Sequence, residues 1–262
     1  MPRINVKDKR KQQLIDANIA SIAKRGLSET TIAHVSQGAG MSRGIVNFYF
    51  TAKESMMQET CQYLADEYAG AWERAVEKTK GAPAEEVLRA IVAAHFTSAL
   101  CSQKKLAVWV AFWGHASSQA AYRKIIAAAD DAFLAKVAEL WELVAKEGAV
   151  ALSPQDFAYE LHGLIRASWL NFLLSSQASD RETLAQKCQN FLTRALQTSV
   201  AGQESAPVAK KSAKKAVAAD ANSATVTEIA DAKAGKTAKK AKPVEQEPEE
   251  QAALGDLFAF GG

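Results

Sequence analysis

The sequence predicts an all-α protein, on three observations. Apolar positions recur at helical spacing through residues 1–200, no stretch there alternates like a half-buried strand, and stop and start signals cut the run into helix-sized pieces. Leu14, Ile15, Ile19 and Ile22 form the first stripe, and Gly26 is placed to end that helix in a left-handed turn. Ile32 and Val35 give a short second helix an apolar face. Ala39 is small enough for two helices to approach closely, Gly40 supplies the positive φ of a tight turn, Met41 plugs the turn and Ser42 caps a third helix. On that third helix Ile45 should face in and Arg43, Gly44 and Asn47 out. Thr51-Ala52-Lys53-Glu54 reads as a capping box opening a long helix to about residue 80, stopped by Gly81 and Pro83. Helices over 84–100, 106–115 and 122–146 follow, the last ended by Gly148. Ser153-Pro154-Gln155-Asp156 is a start signal with a hydroxyl cap, a proline in the first turn and an acid against the helix dipole. Ser179-Asp180-Arg181-Glu182 is a second capping box, opening a last helix to about residue 198.

Composition changes after residue 200. Ala, Lys, Glu, Thr and Val dominate and large apolar residues nearly vanish until Leu254. Such a segment cannot bury enough surface to offset the entropy of ordering, so 201–262 is expected to be a disordered tail, basic and then acidic. The expected organisation is therefore a head over 1–52, a helical body over 53–200 and the tail over 201–262.

Charge is divided along the chain of 262 residues. Residues 1–55 hold nine Lys/Arg against four Asp/Glu, residues 56–200 hold fourteen against sixteen, and the tail nine against nine. A basic head on a mildly acidic body points to a polyanion met by the head alone. No run approaches the ~18 apolar residues of a membrane span, and Met1-Pro2-Arg3-Ile4-Asn5-Val6-Lys7 leads into charge without a signal-peptide core. The expected location is cytoplasmic. Cys61, Cys101 and Cys188 are odd in number and far apart, which opposes a disulfide framework and a CxxC-type metal site. No nucleophile motif, glycine-rich phosphate loop or metal-ligand cluster is present, so no enzyme, metal or cofactor is expected. His34, His95, His115 and His162 lack metal-ligand spacing; His34 is read as solvent-facing, and His95 and His115 as satisfied polar groups near a pocket.

The informative stretch is 30–50. Helix, glycine-containing turn and short helix make a helix-turn-helix, whose second helix enters the DNA major groove. Thr31 and Ser42 can donate to phosphate, as can the N–H groups at their helix starts. Arg43 has the forked donors that read guanine O6 and N7, and Asn47 can read a base edge. Gly44 lets the backbone lie close to DNA. Tyr49 offers a phenol to phosphate and Lys53 adds charge. Arg3, Lys7, Lys9, Arg10 and Lys11 suit a flanking arm or helix near the DNA backbone. A plain helical hairpin inside an all-α core is the competing reading, but it does not require basic, hydrogen-bonding residues on its outer side.

Residues 10–54 resemble the amino-terminal domain of TetR-type transcriptional regulators. The match rests on the first stripe, Thr30-Thr31-Ile32-Ala33, Ala39-Gly40-Met41-Ser42-Arg43-Gly44, Tyr49-Phe50 and Lys53-Glu54. Phe48 departs from it, standing where many members have histidine. Leu106-Ala107-Val108-Trp109-Val110-Ala111-Phe112-Trp113 with Tyr122-Arg123, and Gly163-Leu164-Ile165-Arg166-Ala167-Ser168-Trp169-Leu170, resemble the ligand-binding domain of BetI-type, choline-responsive repressors. Arg166 and Ala167 stand where those proteins usually show aspartate and glycine. The resemblance covers about 10–198 and implies a TetR-like fold: a three-helix DNA-binding domain on a helical ligand-binding and dimerisation domain.

Trp109, Phe112, Trp113, Tyr122 and Trp169 concentrate aromatic surface in the body. Taken singly, each suits ordinary core. Taken together they suit a pocket between helices, since TetR-like proteins keep an effector cavity there, and aromatic faces attract a quaternary ammonium. Arg166, if turned inward, suits instead a carboxylate or an acyl thioester. Phe157, Leu161, Leu164, Ile165, Ser168 and Phe172, with Leu184, Cys188, Phe191, Leu192 and Leu196, are expected to build a four-helix dimer interface. The functional expectation is a homodimeric repressor on a pseudo-palindromic double-stranded operator, released by a small-molecule effector such as choline or a related quaternary amine. Two alternatives stay open: a non-sensing architectural DNA-binding protein using the lysine-rich tail, and a TetR-type regulator of an organic acid or acyl thioester.

Overall fold

The structure is a computed structural model that describes residues 6–148, 150–175 and 180–201, with side chains through residue 197 in the last segment. Among the described residues it is all-helical: α1 (Val6–Glu29), α2 (Ile32–Ala39), α3 (Arg43–Tyr49), α4 (Lys53–Lys78), α5 (Ala84–His95), α6 (Gln103–His115), α7 (Ala120–Glu147), α8 (Pro154–Leu174) and α9 (Arg181–Ala201). The tail expectation, and Arg3 of the basic arm, lie outside the described residues.

The head is a three-helix unit. Leu14, Ile15, Ile19 and Ile22 are all buried, as the first stripe predicts. Gly26, at φ 80° and ψ 171°, kinks α1 rather than ending it, and the Thr30 hydroxyl donates to its carbonyl at 2.8 Å. Thr31 caps α2 by accepting from His34 N–H, Gly40 adopts the left-handed conformation (φ 64°, ψ 32°), and Ser42 caps α3 by accepting from Ile45 N–H. The buried anchor of α3 is Val46, one residue past the predicted Ile45, which is only half-buried. Ala39 packs against the core, and a Cβ on the exposed Gly38 would make ordinary contact, 3.5 Å, with that of Ala17.

The cap of α4 also differs from the capping box expected on Thr51 and Glu54. Ala52 is the N-cap, and the Ser55 hydroxyl accepts from its N–H at 3.2 Å, because the helix starts one residue later than the box requires. α5 ends at His95, short of the predicted residue 100; the Thr97 hydroxyl bonds back to Ala94 O, and a tight turn carries the chain to Cys101. Ser153 caps α8 with Pro154 at its first turn, as expected. α9 is capped by Asp180, whose carboxylate accepts from Thr183 N–H at 2.6 Å, while Ser179 lies outside the described residues.

α4 joins head to body. It packs on α1 at one end and on α5 and α7 along its length, and α6 touches both α1 and α8. Asn18 of α1, fully buried, donates to Thr60 Oγ1 of α4 at 2.8 Å. The stripes of α8 and α9 close the body from within. Phe157, Leu161, Ile165, Ser168, Leu184, Cys188 and Leu192 are buried in a single subunit, and Phe157 stacks on Trp141 at 3.7 Å. These side chains are intramolecular core, because α8 lays them against α7 and α9, whereas Leu164, Phe172, Phe191 and Leu196 of the same predicted dimer stripes are only half-buried. Cys61, Cys101 and Cys188 are buried free thiols, and burial pushes Cys61 up to about 12 and Cys101 up to about 11.

Candidate functional site

The outer side of the head carries the expected polar set. Thr31, Ser42, Arg43, Gly44 and Asn47 are exposed, Tyr49 and Lys53 half-exposed. Gly44 is free of backbone strain, and an added Cβ would meet nothing closer than Ser42 Oγ at 3.7 Å. The fold therefore does not itself demand glycine there. Lys53 Nζ donates to the Ser28 carbonyl at 2.7 Å, a bond that uses one of its three ammonium protons. Lys7, Lys9, Arg10 and Lys11 lie on the first turns of α1, and Lys11 pairs with Glu59 of α4. Phe48, the departure already marked in the sequence, is 72% exposed, with the Lys7 ammonium 5.8 Å from its ring centroid. His34 is half-buried rather than solvent-facing.

The body holds a small cavity of ≈ 10 Å³, room for about one water, lined by Tyr68, Trp109, Trp113, Asp130, Arg166 and Trp169 together with Ala129, His162 and Ile165. Four of the six predicted ligand residues meet there: Trp109, Trp113, Arg166 and Trp169. Phe112 and Tyr122 do not line it. On α6 Phe112 lies about 60° round from Trp109, on the side away from Trp113 and about 100° from it, and it packs edge-on against Tyr122 at 5.0 Å. Tyr122 borders a separate hollow by the head with Ser28, Lys53, Glu54 and His115, and burial with a hydrogen bond to Glu54 raises its pKa.

Tyr68, Asp130 and His162 were missed, although their stripes contain them. Asp130 sits at helical spacing between Ile126, Phe133 and Val137, all buried, so an acid there faces inward. Arg166 Nη2 donates to both Asp130 oxygens, at 2.6 and 2.7 Å, and its guanidinium carbon lies 4.9 Å from the Trp113 ring centroid. His162 Nε2 stands 3.3 Å from Asp130 Oδ1. Trp109 and Trp113 stack at 6.0 Å, and Tyr68 meets Trp109 and Trp169 edge-on at 6.4 and 6.1 Å. Burial raises the Tyr68 pKa, Asp130 adding to the effect and Arg166 opposing it, so the phenol stays protonated and a donor. Tyr68 Oη and Trp113 Nε1 are buried with no hydrogen-bond partner among the described residues. Against the cavity, His95 gives Nδ1 to Ile91 O at 2.7 Å, and Trp169 Nε1 donates to the His95 carbonyl at 3.0 Å. Burial drops His95 to about 4, the Ile91 bond opposing and His162 assisting, so the ring is neutral.

Residues 14–60 match the family described as bacterial regulatory proteins, tetR family, and residues 84–197 match the BetI-type transcriptional repressor C-terminal domain. The chain belongs to the TetR family. It is similar to the HTH-type transcriptional regulator BetI of Escherichia coli K12, at 28% identity over 199 residues, 76% of this chain and all of that one. A transcriptional regulator from Pseudomonas aeruginosa PAO1 shares the fold with a TM-score of 0.64 at 22% identity, covering 75% of this chain and 96% of that one. A regulator from Saccharomonospora viridis, solved in complex with choline, shares it with a TM-score of 0.62 at 19% identity, covering 71% and 96%. This TetR-family chain is thus a DNA-binding transcriptional regulator with a BetI-type body, and not an enzyme. Among the described residues, no helix is long and apolar enough to cross a membrane.

Proposed function

We propose that the chain is a homodimeric repressor that holds a pseudo-palindromic operator through α3 and releases it when a small organic cation, choline or a related quaternary amine, enters the cavity. The observation that carries the effector class is Arg166. The chain's own cation lies against Trp113 and Asp130, so the site already stabilises a positive charge by ring face and carboxylate together. The lining closes to ≈ 10 Å³, room for about one water, so an effector enters by displacing side chains, and a compact one displaces fewer than a long acyl thioester.

On the DNA side, Arg43 and Asn47 read base edges, Thr31, Ser42 and Tyr49 contact phosphate, and Lys53, oriented by Ser28, adds an ionic contact. A two-turn helix reads few bases, and two-fold pairing doubles them. The surface that suits pairing is the outer side of α8, where Tyr159 and Leu174 are 74% and 76% exposed with Gly163 and Ala167 between them, together with the half-buried Leu164 and Phe172 of α8 and Phe191 and Leu196 of α9. Two helices link site to head: α4 carries Tyr68 in the cavity and Lys53 at the head, and α6 carries Trp109 and Trp113 in the cavity and packs on α1. A ligand that prefers one arrangement of these helices shifts head spacing; a coupling of about 1–3 kcal/mol weakens operator binding about 5–150-fold. Selection of bound duplexes followed by titration with choline tests this: release of the selected duplex is expected, and sequence-indifferent binding that choline leaves untouched contradicts it.

A further inference from the structure

We infer that the effector is a zwitterion, a quaternary ammonium and a carboxylate joined by a short linker; this deepens, and rests on, the organic-cation reading above. The argument starts from charge. Asp130 and Arg166 carry the opposite charges of the cavity lining and are already bonded to each other at 2.6 and 2.7 Å. A bare cation that takes Asp130 and the ring faces strips Arg166 of both its carboxylate and Trp113. A bare anion that takes Arg166 leaves the Asp130 carboxylate against aromatic rings with only His162, at 3.3 Å, beside it. Either exchange leaves a half-buried charge without its partner, which is costly in a site walled by apolar rings. A zwitterion inserted between the two replaces one ion pair by two. Its ammonium, having no N–H to donate, lies against ring faces and Asp130. Its carboxylate fits the fork of Arg166.

A second observation points the same way and does not depend on the ion pair. Tyr68 Oη and Trp113 Nε1 line the cavity, are buried and lack a hydrogen-bond partner among the described residues, although Tyr68 is 5% exposed. Both are donors, since the phenol is held protonated. A quaternary ammonium offers nothing for a donor to bond, whereas a carboxylate offers several lone pairs. The aromatic walls call for a cation, and the orphan donors together with Arg166 call for an anionic acceptor on the same molecule.

The test uses calorimetric titration of the full chain with three probes of matched shape. These are trimethylglycine, choline, and 3,3-dimethylbutanoate, in which carbon replaces the ammonium nitrogen. Trimethylglycine is expected to bind the wild type about tenfold or more tighter than either other probe. In Arg166→Gln the preference over choline should collapse, with choline binding unchanged or tighter because the competing internal cation is gone. Arg166→Lys, which keeps the charge without the fork, should restore part of the preference. Equal binding of choline and trimethylglycine by the wild type overturns the zwitterion and leaves the cation site standing. Equal binding of 3,3-dimethylbutanoate and trimethylglycine overturns both, as does no binding of any probe. The wild-type comparison decides the matter even if a variant fails to fold.

Discussion

Lys53 Nζ donates to the carbonyl of Ser28 at 2.7 Å, so the first residue of α4 is tied to the last turn of α1. The bond fixes where the ammonium sits before DNA arrives, at the joint between the head and the helix that reaches the cavity. If that ammonium also meets a phosphate, Lys53→Ala should weaken binding to all sequences alike and lower the log–log salt slope by about 0.9. Filter binding or anisotropy over a salt series measures this. An unchanged slope would leave Lys53 as a clamp alone.

Gly40 and Gly44 lie four residues apart and should respond oppositely to alanine. Gly40 is left-handed at φ 64°, so Gly40→Ala should destabilise the head by about 1–2 kcal/mol. Gly44 is helical with room for a Cβ, so Gly44→Ala should raise stability by up to about 1 kcal/mol through helix propensity. Yet the same Gly44→Ala should weaken operator binding, since the added methyl faces the groove. Thermal melts and anisotropy on both variants check this; undiminished DNA binding by Gly44→Ala would remove the close approach.

Asn18 and Thr60 bridge α1 and α4 inside the core. Thr60→Val leaves the Asn18 amide buried with its 2.8 Å partner gone, at a cost of about 1–3 kcal/mol. Asn18→Leu with Thr60→Val should recover part of that loss, as a double-mutant cycle in urea would show. Strict additivity would mean that the bridge contributes nothing.

His95 sets an acid limit on the fold. Its folded pKa is about 4, below the ordinary 6.5, because burial penalises the charged ring. Between those values the unfolded chain binds a proton that the native chain does not. The stability is therefore present above about 6.5 and falls as pH drops toward 4, by roughly 3 kcal/mol in total. His95→Gln should flatten the pH dependence of the unfolding free energy over that window, and a slope equal to that of the wild type would assign the loss to other groups.

The sequence made the head legible because local rules dominate there. Thr31, Gly40 and Ser42 are placed by capping and turn chemistry within a few residues, and each does what its type predicts. The long helices were legible to within a few residues, except where a hydroxyl intervened: Ser55 moved the start of α4 and Thr97 cut α5 short. The cavity was half legible. Aromatic spacing found Trp109, Trp113 and Trp169, but which side of a doubly buried helix each ring takes is a tertiary matter, and so Phe112 and Tyr122 were misplaced. Asp130 and Arg166 are 36 residues apart, and no local rule pairs them. The α8 and α9 stripes posed the same ambiguity, since an apolar face suits a partner subunit or its own core equally; packing turned Phe157, Leu161 and Ile165 inward and left Leu164, Phe172, Phe191 and Leu196 half-buried.

Footprinting on a selected duplex, with and without the effector, tests the central claim most directly. A paired molecule reading DNA through α3 should protect two half-sites about one helical turn apart, 10–10.5 base pairs centre to centre or a multiple of it, and lose both together when the organic cation is added. Protection of one isolated half-site, or of flanking DNA without sequence preference and without response to the cation, would contradict it.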